Sequence, residues 1–105
     1  MMSDWSPDGT KLLYTRSQGT GGRYYNQLVT VPVSGGTPTQ VTKGKKQHSN
    51  GVFSPDVSQV AFMGYDRHKR LQIYRVPLSG GKVKSVTKSS LGAAYPNWGI
   101  QPSTS

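Results

Sequence analysis

The 105-residue chain contains no cysteine, no glutamate and no long apolar run. Without cysteine it can build neither a disulfide framework nor a thiolate metal centre, and the redox compartment leaves no mark on its composition. No stretch approaches the roughly 18 apolar residues of a helical membrane span. Met1-Met2-Ser3-Asp4 lacks the basic and apolar regions of a secretory signal, so the chain as written is expected to be untargeted. Acid is scarce: four Asp oppose thirteen Lys and Arg, for a formal charge of +9. That balance favours association with nucleic acid, anionic lipid or acidic proteins, and leaves the fold open. Helix signals are missing too. No window carries a 3.6-residue period, and 13 Gly with 7 Pro break up every long stretch. A chain of this size is one small domain of marginal stability, able to bury about two-thirds of the surface it exposes when unfolded.

What is present is a repeat. Trp5-Ser6-Pro7-Asp8-Gly9, followed by the apolar run from Lys11, returns as Phe53-Ser54-Pro55-Asp56, followed by the run from Gln59. Leu28 to Gly36 matches Ile73 to Gly81, and Gln40-Val41-Thr42-Lys43 matches Ser85-Val86-Thr87-Lys88. A third copy opens at Tyr95-Pro96-Asn97-Trp98-Gly99. The spacings, 48 residues from Trp5 to Phe53 and 45 from Phe53 to Trp98, fall in the range of propellers and solenoids.

Short segments rich in Val, Leu, Ile, Tyr and Thr, bounded by Gly, Pro, Ser and Asp, predict strands over 11–16, 27–33, 39–42, 59–65, 71–78 and 83–87, with a further short strand ending at each repeat aromatic. Each unit then reads as four antiparallel strands joined by hairpins. Pro7 fixes φ in the first turn, Asp8 can accept from nearby amides, and Gly9 can take a positive φ. Val57 stands where Gly9 stands. A left-handed conformation is unfavourable for a β-branched residue, so the second turn is expected to be rearranged or looser. Residues 17–23 read as a flexible hairpin loop, longer than its counterpart at 66–70. Lys82, Lys84 and Ser85, interleaved with Val83 and Val86, suit an outer edge strand whose charge discourages further pairing.

The order Trp-Ser-Pro-Asp-Gly, apolar strand, second strand, Ser-Gly-Gly, Val-Thr resembles the WD40-like β-propeller repeat of the TolB type over about residues 4–99. The resemblance implies an all-β chain of two four-stranded antiparallel propeller blades, over 1–50 and 51–93, with the start of a third inner strand and a tail at 94–105. It implies that Trp5, Phe53 and Trp98 pack between blades, while Ser6, Pro7, Asp8, Gly9, Ser54, Pro55 and Asp56 form the turns. Propellers close with about four to eight blades, so two leave faces uncovered. Either the chain is part of a longer protein, or copies assemble. Three chains would supply six blades, so a homotrimer is one expectation.

Catalytic, cofactor and metal sites are not expected. His48 and His68 fall in loops of different units without a short-spaced partner, Asp4 and Asp66 have none either, and there is no Gly-x-Ser-x-Gly elbow. Gly19-Thr20-Gly21-Gly22 lacks the Lys-Ser or Lys-Thr of a phosphate loop. The candidate partner-binding residues are Lys43, Lys45, Lys46, His48, Arg67, His68, Lys69 and Arg70, with Tyr24, Tyr25, Tyr65 and Tyr74 nearby. The leading reading is a non-enzymatic protein-interaction scaffold that works through the loops 43–50 and 88–93, with an acidic protein as partner. Two alternatives are the accessory propeller of a prolyl-oligopeptidase-like hydrolase whose catalytic domain lies elsewhere, and a basic nucleic-acid binder whose tyrosines stack on bases. The resemblance also points to a periplasmic or secreted setting.

Overall fold

The computed structural model describes residues 2–44, 46–89 and Gly92. Lys45, Trp98, the rest of the third copy and the segment 94–105 lie outside the described residues. The strands are β1 (Met2–Trp5), β2 (Lys11–Thr20), β3 (Arg23–Pro32), β4 (Thr39–Gln40), β5 (His48–Phe53), β6 (Gln59–Tyr65), β7 (Leu71–Pro77) and β8 (Lys84–Ser85). They form two four-stranded antiparallel sheets of order β1-β2-β3-β4 and β5-β6-β7-β8, with no helix among the described residues. The all-β, two-sheet architecture implied by the repeat is therefore present. The second sheet starts at His48, three residues ahead of the expected boundary.

Two local expectations are corrected. Residues 17–23 are not a flexible loop. β2 and β3 stay paired from Lys11↔Pro32 out to Thr20↔Arg23. The ribbon closes on Gly21-Gly22 alone, both with positive φ (64° and 80°), the geometry that matches a two-residue hairpin turn to strand twist. The polar side chains of Ser17 and Asn26 bond across the ribbon at 2.8 Å, so polarity here marks an exposed ribbon and not a loop.

The second Ser-Pro-Asp turn is not rearranged either. Val57 takes φ 61° where Gly9 takes 74°, and Val57 N donates to Ser54 O at 2.9 Å just as Gly9 N donates to Ser6 O. Each Asp carboxylate organises its turn in the same way. Asp8 Oδ1 accepts from Ser6 Oγ, Thr10 N and Thr10 Oγ1, and Asp56 Oδ1 accepts from Ser54 Oγ, Ser58 N and Ser58 Oγ. These bonds and the packing of Val57 against the core outweigh the left-handed strain. The two contributions can be separated. Val57→Ala keeps the strain and loses packing, whereas Val57→Gly loses the same packing and relieves the strain. Urea denaturation is expected to show the Gly variant more stable than the Ala variant by about 1 kcal/mol, the reverse of their usual order.

Strand alternation gives the second sheet two faces. Val60 opposite Val76 and Phe62 opposite Tyr74 line one of them, which with Phe53 packs on Leu13, Leu28 and Val41 of the first sheet. Ala61, Met63 and Ile73, flanked by Val52 and Leu71, form the other. Phe53 is 4% exposed in the seam between the sheets. Its repeat equivalent Trp5, on a sheet with no other ahead of it among the described residues, is 52% exposed.

Two contacts bring the inner strand β5 close to the first sheet. Asp4 Oδ2 accepts from Phe53 N at 2.9 Å. At Gly51, beside the register shift of β5, an added Cβ would lie 2.9 Å from Leu13 Cδ2 and 3.2 Å from Leu28 Cδ1. Without a side chain, Gly51 lets the Leu13 and Leu28 side chains pack directly against the β5 backbone.

Candidate functional site

Because successive strands are antiparallel, successive turns alternate ends. The Ser-Pro-Asp turns lie at one end of the sheets, and the 41–47 connection and the 66–70 hairpin lie at the other. There a groove of 690 Å³ opens between the sheets, bordered by Tyr25, Lys43, Lys46, Gln47, His48, Tyr65, Asp66, Arg67, Tyr74 and Val83. A smaller recess of 270 Å³ adjoins it around Arg67, His68, Arg70 and Lys88. The fold thus brings Arg67 of the 66–70 hairpin beside Lys43, Lys46 and His48 of a single segment around one groove, with His68 and Arg70 next to it. Lys69 is exposed at the hairpin tip with φ 61°.

The hairpin is organised by Asp66, which the sequence left without a partner. Its Oδ1 accepts from His68 N (2.8 Å) and Arg70 N (3.0 Å), and its Oδ2 accepts from Gln72 Nε2 (3.1 Å) and lies 3.4 Å from Arg70 Nε. Led by the Arg70 amide, these donors hold the carboxyl down at about 2. That carboxylate is held by the hairpin and by Gln72 of β7, and among the described residues its ion pair is with Arg70 and not with Lys43 or Lys46.

Beneath the groove lies a polar network that sequence reasoning missed. Gln27, fully buried, donates from Nε2 to the carbonyls of Gly44 (2.5 Å) and Lys46 (3.0 Å), and its Oε1 accepts from Thr42 Oγ1 (2.7 Å). Thr42 Oγ1 in turn accepts from Leu28 N. The second sheet repeats the arrangement. Gln72 Nε2 donates to Ser89 O, Gln72 Oε1 accepts from Thr87 Oγ1, and Ile73 N donates to Thr87 Oγ1. In both units the glutamine pins the connection that leaves the outermost strand.

His48 is not the loop residue expected. It is the first residue of β5 and 6% exposed, its ring edge-on to Phe62 at 4.7 Å. Gly64 makes room for the ring, since a Cβ there would lie 3.1 Å from His48 Cδ2. His48 Nδ1 lies 3.2 Å from Gln27 Oε1. Because Gln27 Nε2 is committed to two carbonyls, its Oε1 is the atom that faces the ring. His48 Nδ1 therefore carries the hydrogen, and Nε2 is left with a free lone pair.

Burial, and then the charge of Lys46, push the His48 pKa down to about 4. The folded-state value lies below the unfolded one, so on acidification the unfolded chain takes up the proton first. The stability contributed by neutral His48 is complete above pH 6.5 and is lost as pH falls from 6.5 to 4. The loss is about 1–2 kcal/mol, reduced from the full shift by solvent at the groove. Asp8, held at about 2 first by the Ser6 hydroxyl, Asp56, held there first by the Ser58 hydroxyl, and Asp66 add a second loss between about pH 4 and 2. Urea midpoints measured against pH are expected to show both steps, and His48→Asn to remove only the upper one.

No family model matches the chain. Over 93 residues it is 30% identical to the uncharacterized protein Atu1656 of Agrobacterium fabrum, covering 89% of this chain and 30% of that protein. Over 96 residues it is 26% identical to the uncharacterized peptidase YuxL of Bacillus subtilis, covering 90% of this chain and 15% of that one. A solved structure from Agrobacterium tumefaciens, provisionally assigned as TolB, superposes with a TM-score of 0.73 at 26% identity, over 90% of this chain and 32% of its own. The chain thus spans a third or less of the length of each of these proteins.

Proposed function

Since the chain forms two blades of the TolB-like propeller type, we propose that it is a non-enzymatic interaction scaffold that docks an acidic protein partner in the groove between the blades. The observation that carries this reading is the charge arrangement at one end of the sheets. Lys43, Lys46 and Arg67 border the groove, and its acidic residue, Asp66, is tied to Arg70, Gln72 and two backbone amides. A concave surface on which cations outnumber anions, here Lys43, Lys46 and Arg67 against Asp66, concentrates positive field and favours an acidic partner. Tyr65, 53% exposed at the same groove, adds a rigid amphipathic contact of the kind found in interfaces. The match to YuxL covers 15% of that peptidase-named protein and does not favour the hydrolase-accessory alternative.

The test is calorimetric titration of the 105-residue chain with poly-glutamate. Binding is expected to weaken with salt. Reversing the three cations, Lys43→Glu with Lys46→Glu and Arg67→Glu, is expected to weaken it about 10-fold or more, summing rim charges of modest individual worth. Binding unchanged by the triple reversal would refute the scaffold reading at this groove.

A further inference from the structure

The groove joins a cationic rim to a floor that offers a hydrogen-bond acceptor. Among the described residues no buried side-chain nitrogen or oxygen lacks a partner, and His48 Nε2 has no hydrogen bond to any of them. An unpaired Nε2 that is not among the buried atoms is reached by solvent, and the ring that carries it borders the groove. The lone pair is fixed there by the neighbours of the ring: Gln27 Oε1 holds Nδ1–H, Phe62 packs edge-on, and Gly64 lies against Cδ2. A His ring that is 6% exposed, with one nitrogen locked and the other unpaired and reached by solvent, discriminates between ligands by hydrogen-bond polarity.

A phosphate or sulfate polyanion carries acceptors only. It can meet the rim but leaves the floor acceptor unpartnered. A polypeptide carries carboxylates on its side chains and an N–H on nearly every residue. We propose that the groove binds an extended acidic peptide segment, with carboxylates at Lys43, Lys46 and Arg67 and a main-chain N–H donating to His48 Nε2. This rests on the scaffold reading above and specifies what the scaffold reads.

The experiment compares three probes of matched length and charge by fluorescence competition on the 105-residue chain: deca-glutamate, a peptoid of N-carboxyethylglycine that lacks backbone N–H groups, and inorganic polyphosphate. Deca-glutamate is expected to bind about 5- to 10-fold more tightly than either of the others, the worth of one hydrogen bond at a partly desolvated site. His48→Asn keeps a donor at the Nδ1 position and removes Nε2, and is expected to lower peptide affinity to the level of the peptoid. His48→Gln places an amide at the Nε2 position and is expected to restore most of it. Far-ultraviolet circular dichroism confirms that each variant is folded. Equal affinity for all three probes, or a His48→Asn variant that still prefers the peptide, would overturn the proposal while leaving the scaffold reading standing. Failure of every probe to bind would overturn both.

Discussion

Replacing Phe62 with alanine is expected to lower stability by about 3–5 kcal/mol and to dismantle the groove at the same time. Phe62 is fully buried in the cluster that joins the two sheets. Its ring meets His48 edge-on at 4.7 Å and stacks on Tyr74 at 5.9 Å with the planes inclined by 28°, and both neighbours border the groove. Truncation therefore removes the transfer free energy of the ring, the aromatic contacts and the support of two groove residues. A repeat array holds together through its nearest-neighbour interfaces, and a small domain has only about 5–10 kcal/mol in total, so the loss consumes a large part of the whole. The measurement is urea denaturation followed by circular dichroism, with Phe62→Leu as the milder comparison, expected to cost about 1–2 kcal/mol. A Phe62→Ala variant within 1 kcal/mol of the parent would mean that the two sheets are not energetically coupled through this seam.

That seam was legible in the sequence wherever turn chemistry and repetition agreed. Ser6-Pro7-Asp8 and Ser54-Pro55-Asp56 fixed where strands end, and the matched segments after them fixed how many strands each unit has. Val57 departs from expectation because local strain is only one contribution, and the Asp56 hydrogen bonds over-determine the turn. Ser17 to Thr20 was read as a loop because an exposed two-stranded ribbon carries loop-like polarity; the sign to the contrary was the adjacent Gly21-Gly22 pair. The basic residues of the groove were visible as charge, but only the chain path brings the 41–47 connection beside the 66–70 hairpin. His48 was read as a loop residue because its burial depends on Phe62 and Gly64, 14 and 16 residues away in another strand. The polar network had a trace that could have been followed. Gln27 and Thr42, like Gln72 and Thr87, are 15 residues apart at matching places in the two units. A glutamine opening an apolar strand reads as solvent-facing until its repetition beside a Val-Thr pair is noticed.

The repetition also provides an internal control for the role of Gln27. Gln27→Leu preserves approximate size but removes the acceptor for Thr42 Oγ1 and His48 Nδ1 and the donor to the Gly44 and Lys46 carbonyls. Buried groups left unpaired cost about 1–3 kcal/mol each, and the two carbonyls lie in an exposed connection where water can replace the amide. The expected loss is therefore about 2–4 kcal/mol. Gln72→Leu breaks the equivalent bonds to Thr87, Ser89 and Asp66 and is expected to destabilise by a similar amount. The two differ in what they do to His48. Only Gln27 holds its Nδ1–H, so ring-nitrogen NMR is expected to show a single Nδ1–H tautomer in the parent and in Gln72→Leu, and a mixture in Gln27→Leu. Peptide discrimination by the groove should follow the tautomer and not the stability, surviving in Gln72→Leu and disappearing in Gln27→Leu. If both variants lose stability equally and keep the same tautomer population, Gln27 acts only as a structural tie, and the fixed lone pair of His48 must have another cause.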